Sequence, residues 1–215
     1  ENIKDNQLKV INVNLKYNNP FNVQKSKASK YILSCLNLGH RLALKKDVSG
    51  IINCPINKKL LNQEKIGVTE YLAKKCKIKN NSEVMLIKNR NLSVCPITTH
   101  INVKEISKKI KKKIIINKIK TINKWFKKTY NFYPKIGVTG LNPHNAELRK
   151  NSEEQKEIMP SISKLKKLKI KVKGPLVVDT LFISDYKKFD VIVGMYHDQV
   201  LGPFKTMFNF DAINI

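Results

Sequence analysis

The spacing of apolar residues along the chain predicts amphipathic helices separated by short buried strands. Apolar side chains recur every three or four residues in Val23–Lys46, and again from Val103 to Phe126, where lysines fill the opposite face. We expect this second, longer helix to pack on a sheet rather than to lie on a membrane surface. A third helix should begin at Ser152, whose hydroxyl can cap it, and Pro160 should kink or split it.

Short apolar runs between these helices predict the strands. Because strands and helices alternate, we expect an α/β fold, a mostly parallel sheet with flanking helices. The chain has 215 residues and is 41% hydrophobic, which suits one domain or two closely joined lobes. The predicted strand segments are Gly50–Ile56, Glu83–Asn89, Leu92–His100, Lys135–His144 and Phe189–Gln199, and Gly174–Phe182 is a further short apolar segment that contains Asp179.

The formal net charge of +26 is the most conspicuous feature of the composition. A charge of this size is typical of nucleic-acid-binding proteins. Yet of 42 basic residues only Arg41, Arg90 and Arg149 are arginines, the residue that base and phosphate recognition favours. The lysines are spread along the chain together with Ile and Asn, the residues that AT-rich codons encode. We therefore interpret the charge as a solvated lysine surface and expect no nucleic-acid partner, with polyanion binding as the alternative.

Cysteines and apolar runs bear on the compartment. The four cysteines, at positions 35, 54, 76 and 95, form no CxxC pair, so we expect reduced and mostly buried thiols of a cytoplasmic protein and no zinc knuckle. No apolar run is long enough for a membrane span, and the first residues lack a signal-peptide pattern. The chain has no initiator methionine, which suggests a segment of a longer protein.

Three of the four histidines follow predicted strands. His100 ends "VCPITTH", His144 ends "IGVTGLNPH" and His197 ends "VIVGMYH", whereas His40 lies within the first predicted helix. Ligands of open α/β sheets bind outside the carboxyl ends of the strands. Three imidazoles delivered there have the composition of a divalent-metal site that keeps positions open for substrate.

Six motifs occur along the chain in the order "CPINK", "GVTEYLA", "TTHINV", "GLNPHNAE", "GPLVVDTLF" and "MYHDQVLGPFK". Together they resemble the 4-hydroxythreonine-4-phosphate dehydrogenase family of vitamin B6 biosynthesis, over most of the chain from about Ala28 to Ile215. The resemblance implies a fold like that of isocitrate and isopropylmalate dehydrogenases, incomplete at both ends. Residues 1–215 would then be the central portion of one dehydrogenase subunit, without the family's N-terminal and C-terminal segments.

The resemblance also implies a site at a homodimer interface, where three histidines hold a divalent cation such as zinc, magnesium or cobalt. The phosphorylated amino-acid substrate would be contacted from "GVTE", "GPFK" and "INI". Residue by residue, the implied metal ligands are His100, His144 and His197, and the implied substrate contacts are Thr69, Lys205 and Asn214. Our own hypothesis adds that Asp198 or Asp179 orients a metal ligand or accepts a proton.

The implied reaction is an NAD-dependent oxidation with decarboxylation, which converts 4-phosphohydroxy-L-threonine to 3-amino-2-oxopropyl phosphate. In this chemistry the metal makes the substrate hydroxyl more acidic and stabilises the enolate that decarboxylation generates. The chain contains no GxGxxG motif, so NAD binding would have to use a non-Rossmann mode.

The chain departs from the family pattern at two places near the motifs. Val68 stands where the family commonly has a substrate-contacting histidine, and "NAELRKNSEE" replaces the usual glycine-rich stretch after "NPH". Two alternatives therefore stay open. One is a related metal-dependent dehydrogenase of another phosphorylated hydroxy acid, such as threonate 4-phosphate. The other is a non-catalytic basic protein that binds polyanions.

Overall fold

The computed structural model describes residues 9–61, 67–78 and 82–215 of the chain. The chain divides into two compact units, Glu1–Cys76 and Lys77–Ile215. Each unit is built around its own buried apolar side chains, so each is described by itself.

The regular elements in the described part of the first unit are helices. The predicted first helix is confirmed as α1 (Lys25–Lys45), and it ends where Lys46 adopts a left-handed conformation. A 3₁₀ turn (Lys58–Leu61) and α2 (Val68–Lys75) follow. The small core of this unit consists of three buried side chains, Leu36, Leu61 and Tyr71.

The strand predicted at Gly50–Ile56 is wrong. These residues are irregular, and the side chain of Ile52 is fully exposed, at 102% of its reference area. A short apolar run alone does not distinguish a strand from an exposed segment. Pro55 also lacks the N–H group that a strand interior would use.

The described part of the second unit contains a six-stranded sheet. Its strands are β1 (Ile87–Lys88), β2 (Ser93–Thr98), β3 (Ile136–Thr139), β4 (Val172–Leu176), β5 (Val191–Tyr196) and β6 (Ile213–Asn214). They lie in the order β4-β3-β5-β2-β1-β6. The first four strands in this order run parallel, whereas β1 is antiparallel to β2 and β6 is antiparallel to β1. The predicted mostly parallel sheet is therefore confirmed.

Both faces of the sheet are covered by apolar side chains. Along β5, Val191, Val193 and Met195 belong to one buried cluster, whereas Ile192 belongs to a cluster on the opposite face. This alternation explains why the strand reads as a continuous apolar run in the sequence, since parallel strands are buried on both sides.

The long helix predicted from Val103 is interrupted. It begins as a 3₁₀ turn and α3 (Ile106–Lys109), and then restarts as α4 (Lys112–Tyr130). Between them the backbone at Ile110 and Lys111 is extended. The carboxylate of Glu157 accepts the N–H of Lys112 at 2.6 Å, which caps the start of α4.

The amphipathic character of α4 is confirmed. Ile115, Ile119, Ile122 and Phe126 are buried in the core, as expected for a helix packed on a sheet. Lys118 is an exception to the solvated lysine surface, because it is 5% exposed and its ammonium group donates to the carbonyl oxygen of Glu83 at 2.7 Å.

The predicted helix after Ser152 forms, but the expected split at Pro160 does not occur. The helix is continuous from residue 153 to 167, with a π-helical turn (Glu154–Ile158) that leads into α5 (Met159–Lys167), where proline occupies the first turn. The remaining helices are α6 (Val178–Leu181) and α7 (His197–Phe208). In the part of the chain that the structure describes, no helix is both long and apolar enough to cross a bilayer.

The cysteines are free thiols, but the expectation that most are buried is wrong. Cys95 is buried, Cys35 is half-buried, and Cys54 and Cys76 are exposed. The two exposed thiols lie in the irregular segment and at the end of α2. Burial raises the pKa of the Cys95 thiol to about 12, although the positive charge of Lys118 opposes the shift.

Candidate active site

The three histidine-bearing segments leave the sheet from adjacent parallel strands. Strand β5 lies between β3 and β2. His197 directly follows β5, His100 lies two residues after β2, and His144 lies five residues after β3. Parallel neighbours end at the same edge of a sheet, so the chain delivers all three segments to one side of it.

Two of the imidazoles lie beside each other. The rings of His100 and His197 have centroids 5.4 Å apart and planes tilted by 42°. The pairing of Thr98 with Tyr196 in the parallel ladder accounts for this proximity, because it places the last residues of β2 and β5 side by side.

The separation of the two rings is compatible with a shared metal ion. Imidazole nitrogens that bind one tetrahedral ion lie about 2 Å from it, which puts the ring centroids about 5 Å apart. His100 is exposed and the side chain of His197 keeps 28% of its area accessible, so an ion could reach both rings. The donor set of neutral imidazoles suits zinc or cobalt.

The predicted orienting carboxylate is in contact with His197. The Nδ1 atom of His197 and Oδ1 of Asp198 lie 2.7 Å apart, and 87% of the aspartate side-chain area is exposed. A carboxylate that accepts the proton of Nδ1 leaves Nε2 as the lone-pair donor for a metal. The structure thus places Asp198 in contact with His197, and its role in orienting the imidazole stays a prediction.

A hydrogen-bond network that the sequence analysis missed lies beneath His197. Gln199, at the third position of α7, is buried, and its side chain contacts Met195, Thr139 and Gly140. Thr98 donates to the carbonyl oxygen of Met195 on the other side. A glutamine at the third position of a helix commonly forms a hydrogen bond with the backbone at the start of that helix. The position of Gln199 relative to the predicted strand end was therefore the sequence feature that could have indicated this network.

His144 lies in a left-handed turn. Residues 144–148 all have positive φ angles, between 48° and 57°, although none of them is glycine. Side chains with a Cβ are strained in this conformation. The turn is supported by the amide of Gln155, which donates to the carbonyl oxygen of Leu148, and by the amide of Asn145, which donates to that of Pro175.

A buried carboxylate holds the start of this loop. Glu154 is 0% exposed, and its Oε1 atom accepts the backbone N–H groups of Leu141 and Asn142, each at 2.8 Å. The side-chain amide of Asn142 donates to the same carboxylate. Burial acts to raise the pKa of Glu154, but the donated hydrogen bonds outweigh it and hold the pKa below the ordinary value.

The third imidazole does not join the other two within one chain. Among the residues that the structure describes, no group of three His, Cys, Asp or Glu side chains is close enough to hold a metal ion. His144 is exposed at the same edge of the sheet. A single chain therefore provides a pair of imidazoles and a separate third one.

The comparison with known protein families assigns the chain. Residues 1–215 match the family described as "Pyridoxal phosphate biosynthetic protein PdxA". The chain belongs to the PdxA family. The resemblance inferred from the six sequence motifs is thereby confirmed.

Curated relatives of this PdxA-family chain carry matching names. It is 39% identical over 176 residues to a 4-hydroxythreonine-4-phosphate dehydrogenase of Aquifex aeolicus, with 80% of this chain and 54% of the relative covered. It is 34% identical over 187 residues to a candidate D-threonate 4-phosphate dehydrogenase of Oceanobacillus iheyensis, with 84% and 55% covered. The chain thus spans about half the length of the curated relatives it matches.

Solved structures give the same assignment. A crystal structure of 4-hydroxythreonine-4-phosphate dehydrogenase from Klebsiella pneumoniae matches with a TM-score of 0.78 and 27% identity, covering 88% of this chain and 58% of that one. A terephthalate 1,2-cis-dihydrodiol dehydrogenase from Burkholderia xenovorans matches with a TM-score of 0.71 and 21% identity over 88% of this chain and 61% of that one, which shows the fold alone. The predicted isocitrate/isopropylmalate dehydrogenase-like fold is confirmed.

The other predicted site residues lie on several different elements. Lys205 is exposed on α7, the helix that His197 begins, and Asp179 is exposed in the first turn of α6. Asn214 is exposed in β6, where it pairs with Ile87. Position 69 belongs to α2, and the side chain of Thr69 lies outside the described residues.

Val68, the first residue of α2, has a packing role. It is half-buried and lies against the cluster formed by Leu36, Leu61 and Tyr71. An apolar side chain suits that position, because it adds buried surface to the small core of the first unit.

Proposed function

We propose that this chain is part of an NAD-dependent and divalent-metal-dependent 4-hydroxythreonine-4-phosphate dehydrogenase. The reaction oxidises and decarboxylates 4-phosphohydroxy-L-threonine to 3-amino-2-oxopropyl phosphate. The observation that carries the proposal is the contact between His100 and His197 at the carboxyl ends of two adjacent strands of a PdxA-family sheet.

The two neighbouring imidazoles would hold the cation, and Asp198 would keep the Nδ1 proton of His197 in place. We infer a homodimer in which His144 of a second copy completes the ligand set, since His144 of the same chain does not join the pair. The bound cation would supply Lewis-acid polarisation of the substrate oxygen atoms.

The proposed substrate is an anion, and the positive charge of the chain attracts anions. Lys205 presents an exposed ammonium group on the helix that begins with His197, and such a group suits a phosphate dianion. Thr69 and Asn214 are the further substrate contacts that the family motifs propose. The net charge of +26 would also concentrate anionic substrates near the protein.

Oxidation at the substrate carbon requires a hydride acceptor, and NAD is the acceptor we propose. The sequence lacks the GxGxxG motif, so the dinucleotide would bind without a Rossmann-type phosphate loop. Asp179, after strand β4 at the same edge of the sheet, and Asp198 are the carboxylates available to accept a proton.

A related substrate, D-threonate 4-phosphate, is the second candidate. Val68 favours it, because valine packs in the core of the first unit and can neither donate nor accept a hydrogen bond to substrate. The relative from Oceanobacillus iheyensis carries a name of this kind. The two substrates differ at one carbon, which carries an amino group in the first and a hydroxyl group in the second. The loss of one polar contact with the protein can therefore alter the preference between them.

Metal binding and turnover test the proposal in two steps. Co²⁺ should raise the melting temperature of the chain and EDTA should reverse the rise, whereas His197→Ala should remove it. His40→Ala is the matched control, because His40 contacts Cys76 in the first unit and lies outside the predicted site.

Turnover is then measured as NADH formation from each of the two phosphorylated substrates. We expect metal-dependent NADH with 4-phosphohydroxy-L-threonine and little with D-threonate 4-phosphate. The reverse preference would select the second candidate. NADH formation that is unaffected by EDTA or by His197→Ala would contradict the metal-dependent reaction.

A further inference from the structure

The amide of Gln199 is buried, and both its oxygen and its nitrogen form hydrogen bonds. The residue is 7% exposed, and its Oε1 atom accepts the N–H of Met195 at 2.6 Å and the hydroxyl of Thr139 at 2.9 Å. Its Nε2 atom donates to the carbonyl oxygen of Gly140 at 2.8 Å. One side chain therefore joins the end of β5 to the end of β3.

This amide lies where the ladder between these two strands ends. The register of β3 and β5 runs from Ile136 and Val191 to Val138 and Val193, and in the described residues these two strands do not pair beyond that point. The backbone N–H of Met195 and the carbonyl of Gly140 would otherwise need other partners in a buried place. The Gln199 amide supplies the hydrogen bonds that the separated strands no longer give each other.

The backbone leaves space for this arrangement. A Cβ atom at Gly194 would lie 3.0 Å from Oε1 of Gln199 and 2.4 Å from a methyl carbon of Val200. Glycine at this position in β5 lets the start of α7 pack closely over the strand, which brings the amide within reach of Met195.

The peptide groups of Met195 are fixed from two directions. Its N–H bonds to Gln199, which reaches the strand that leads to His144. Its carbonyl oxygen accepts the hydroxyl of Thr98, on the strand that leads to His100. His197 follows Met195 by two residues, so these hydrogen bonds connect the three strand ends from which the histidine-bearing segments leave.

We propose that Gln199 is a positioning residue that sets the relative placement of the three histidine-bearing segments. It bonds to the backbone and to Thr139, so it acts on the cation through His197 and the neighbouring strand ends. The inference rests on the proposed metal site. Groups that orient metal ligands typically change metal affinity about 10-fold to 100-fold when they are removed.

The test compares Co²⁺ binding by the full chain and its variants. Gln199→Met keeps the side-chain length and removes the three hydrogen bonds, whereas Gln199→Glu keeps the acceptor atom and removes the donor to Gly140. We expect the Kd for Co²⁺ to rise about 10-fold or more in both variants. The visible absorption bands of bound Co²⁺ should also shift, because they report the ligand geometry.

Two further variants separate positioning from general stability. Ile162→Val shortens a buried side chain in α5 and weakens the core without touching the network, so its Co²⁺ affinity and bands should match those of the wild type. Thr139→Val retains Gln199 and removes one of its partners, and we expect a smaller rise in Kd that Thr139→Ser reverses. The two Thr139 variants test the same role if the Gln199 variants fold poorly.

The outcomes distinguish this inference from the proposed function. Wild-type affinity and bands in the Gln199 variants, or in Thr139→Val where those variants fold poorly, would overturn the positioning role and leave the metal site in place. An equal loss of affinity in Ile162→Val would overturn it as well, because the effect would then follow stability. A wild-type chain that binds no Co²⁺ would overturn the metal site and the positioning role together.

Discussion

The hydroxyl group of Thr98 donates a 2.8 Å hydrogen bond to the carbonyl oxygen of Met195, a residue 97 positions further along the chain. Both residues are buried, and they lie on the neighbouring parallel strands β2 and β5. The bond fixes the two strands to each other at the edge where His100 and His197 leave the sheet.

Thr98→Val should destabilise the second unit, because it retains the shape of the side chain and removes the only hydroxyl that bonds to Met195 in the described structure. We expect a loss of about 1–2 kcal/mol in the free energy of unfolding, the usual cost of an unpaired buried acceptor. Urea denaturation measures it. Thr98→Ser restores the hydroxyl and should recover part of the loss, and equal stability of the valine and serine variants would contradict the role of the bond.

Glu154→Gln should destabilise the loop that begins at Leu141. The substitution replaces one carboxylate oxygen with an NH2 donor. If the remaining oxygen keeps the backbone N–H groups of Leu141 and Asn142, the new donor faces the side-chain amide of Asn142, which is itself a donor. We expect a loss of about 1–3 kcal/mol at neutral pH, as for a buried hydrogen-bonding group left mismatched. Chemical denaturation of the wild type and the variant measures the difference.

The stability difference between the wild type and Glu154→Gln should also depend on pH. Because hydrogen bonds to the carboxylate lower the pKa of Glu154 in the folded protein, its contribution to stability is complete above the unfolded value of about 4.3. The contribution is lost as the pH falls below that value through the lower folded pKa. The stability difference between the wild type and Glu154→Gln should therefore shrink in acid, and a difference that grows there would contradict the assignment.

Much of this architecture could be predicted from local sequence. The strands that contain Val193 and Val94 are short buried segments rich in apolar residues, and His197 and His100 follow them within two residues, so the strand ends and these two candidate ligands were identifiable from the sequence. The break in the helix at Ile110 could not be identified from the sequence, because it depends on the Glu157 carboxylate from a distant part of the chain. The role of Gln199 likewise depends on strand ends that meet only after folding.

The left-handed turn after His144 could not be predicted either, and it leads to a counterintuitive substitution. Ala146 has a φ of 50°, where its Cβ is strained and glycine is not. The strain amounts to about 1–2 kcal/mol per residue, which exceeds the about 0.5–1 kcal/mol that glycine usually costs through backbone entropy. Ala146→Gly should therefore stabilise the protein by about 0.5–1 kcal/mol in a denaturant titration.

The control for this prediction is a glycine substitution in a right-handed helix. Lys120 is exposed on α4, and Lys120→Gly should destabilise the same unit by about 0.7–1 kcal/mol. Changes of opposite sign in the free energy of unfolding of the two glycine variants would support the left-handed conformation of residues 144–148. Destabilisation of similar size in both would contradict it.

Gly140→Ala should be strongly destabilising for a steric reason. A Cβ atom at Gly140 would lie 2.0 Å from Oδ1 of Asn145, and Glu154 lies against the same point at 3.2 Å. Gly140 is itself buried at the end of β3, so the loop has little room to shift. We expect a loss of about 1–3 kcal/mol, the typical cost of overpacking, measured as a lower denaturation midpoint.

A double-mutant cycle with Asn145→Ala tests whether that clash is the cause. The Oδ1 atom of Asn145 is buried without a hydrogen-bond partner in the described structure, whereas its amide nitrogen donates to Pro175. Removing the side chain therefore sacrifices one hydrogen bond and frees the space that alanine at position 140 needs. The double variant should be more stable than the sum of the two single losses predicts, by about 1 kcal/mol or more. Strict additivity would mean that the alanine at position 140 disturbs the strand end in some other way.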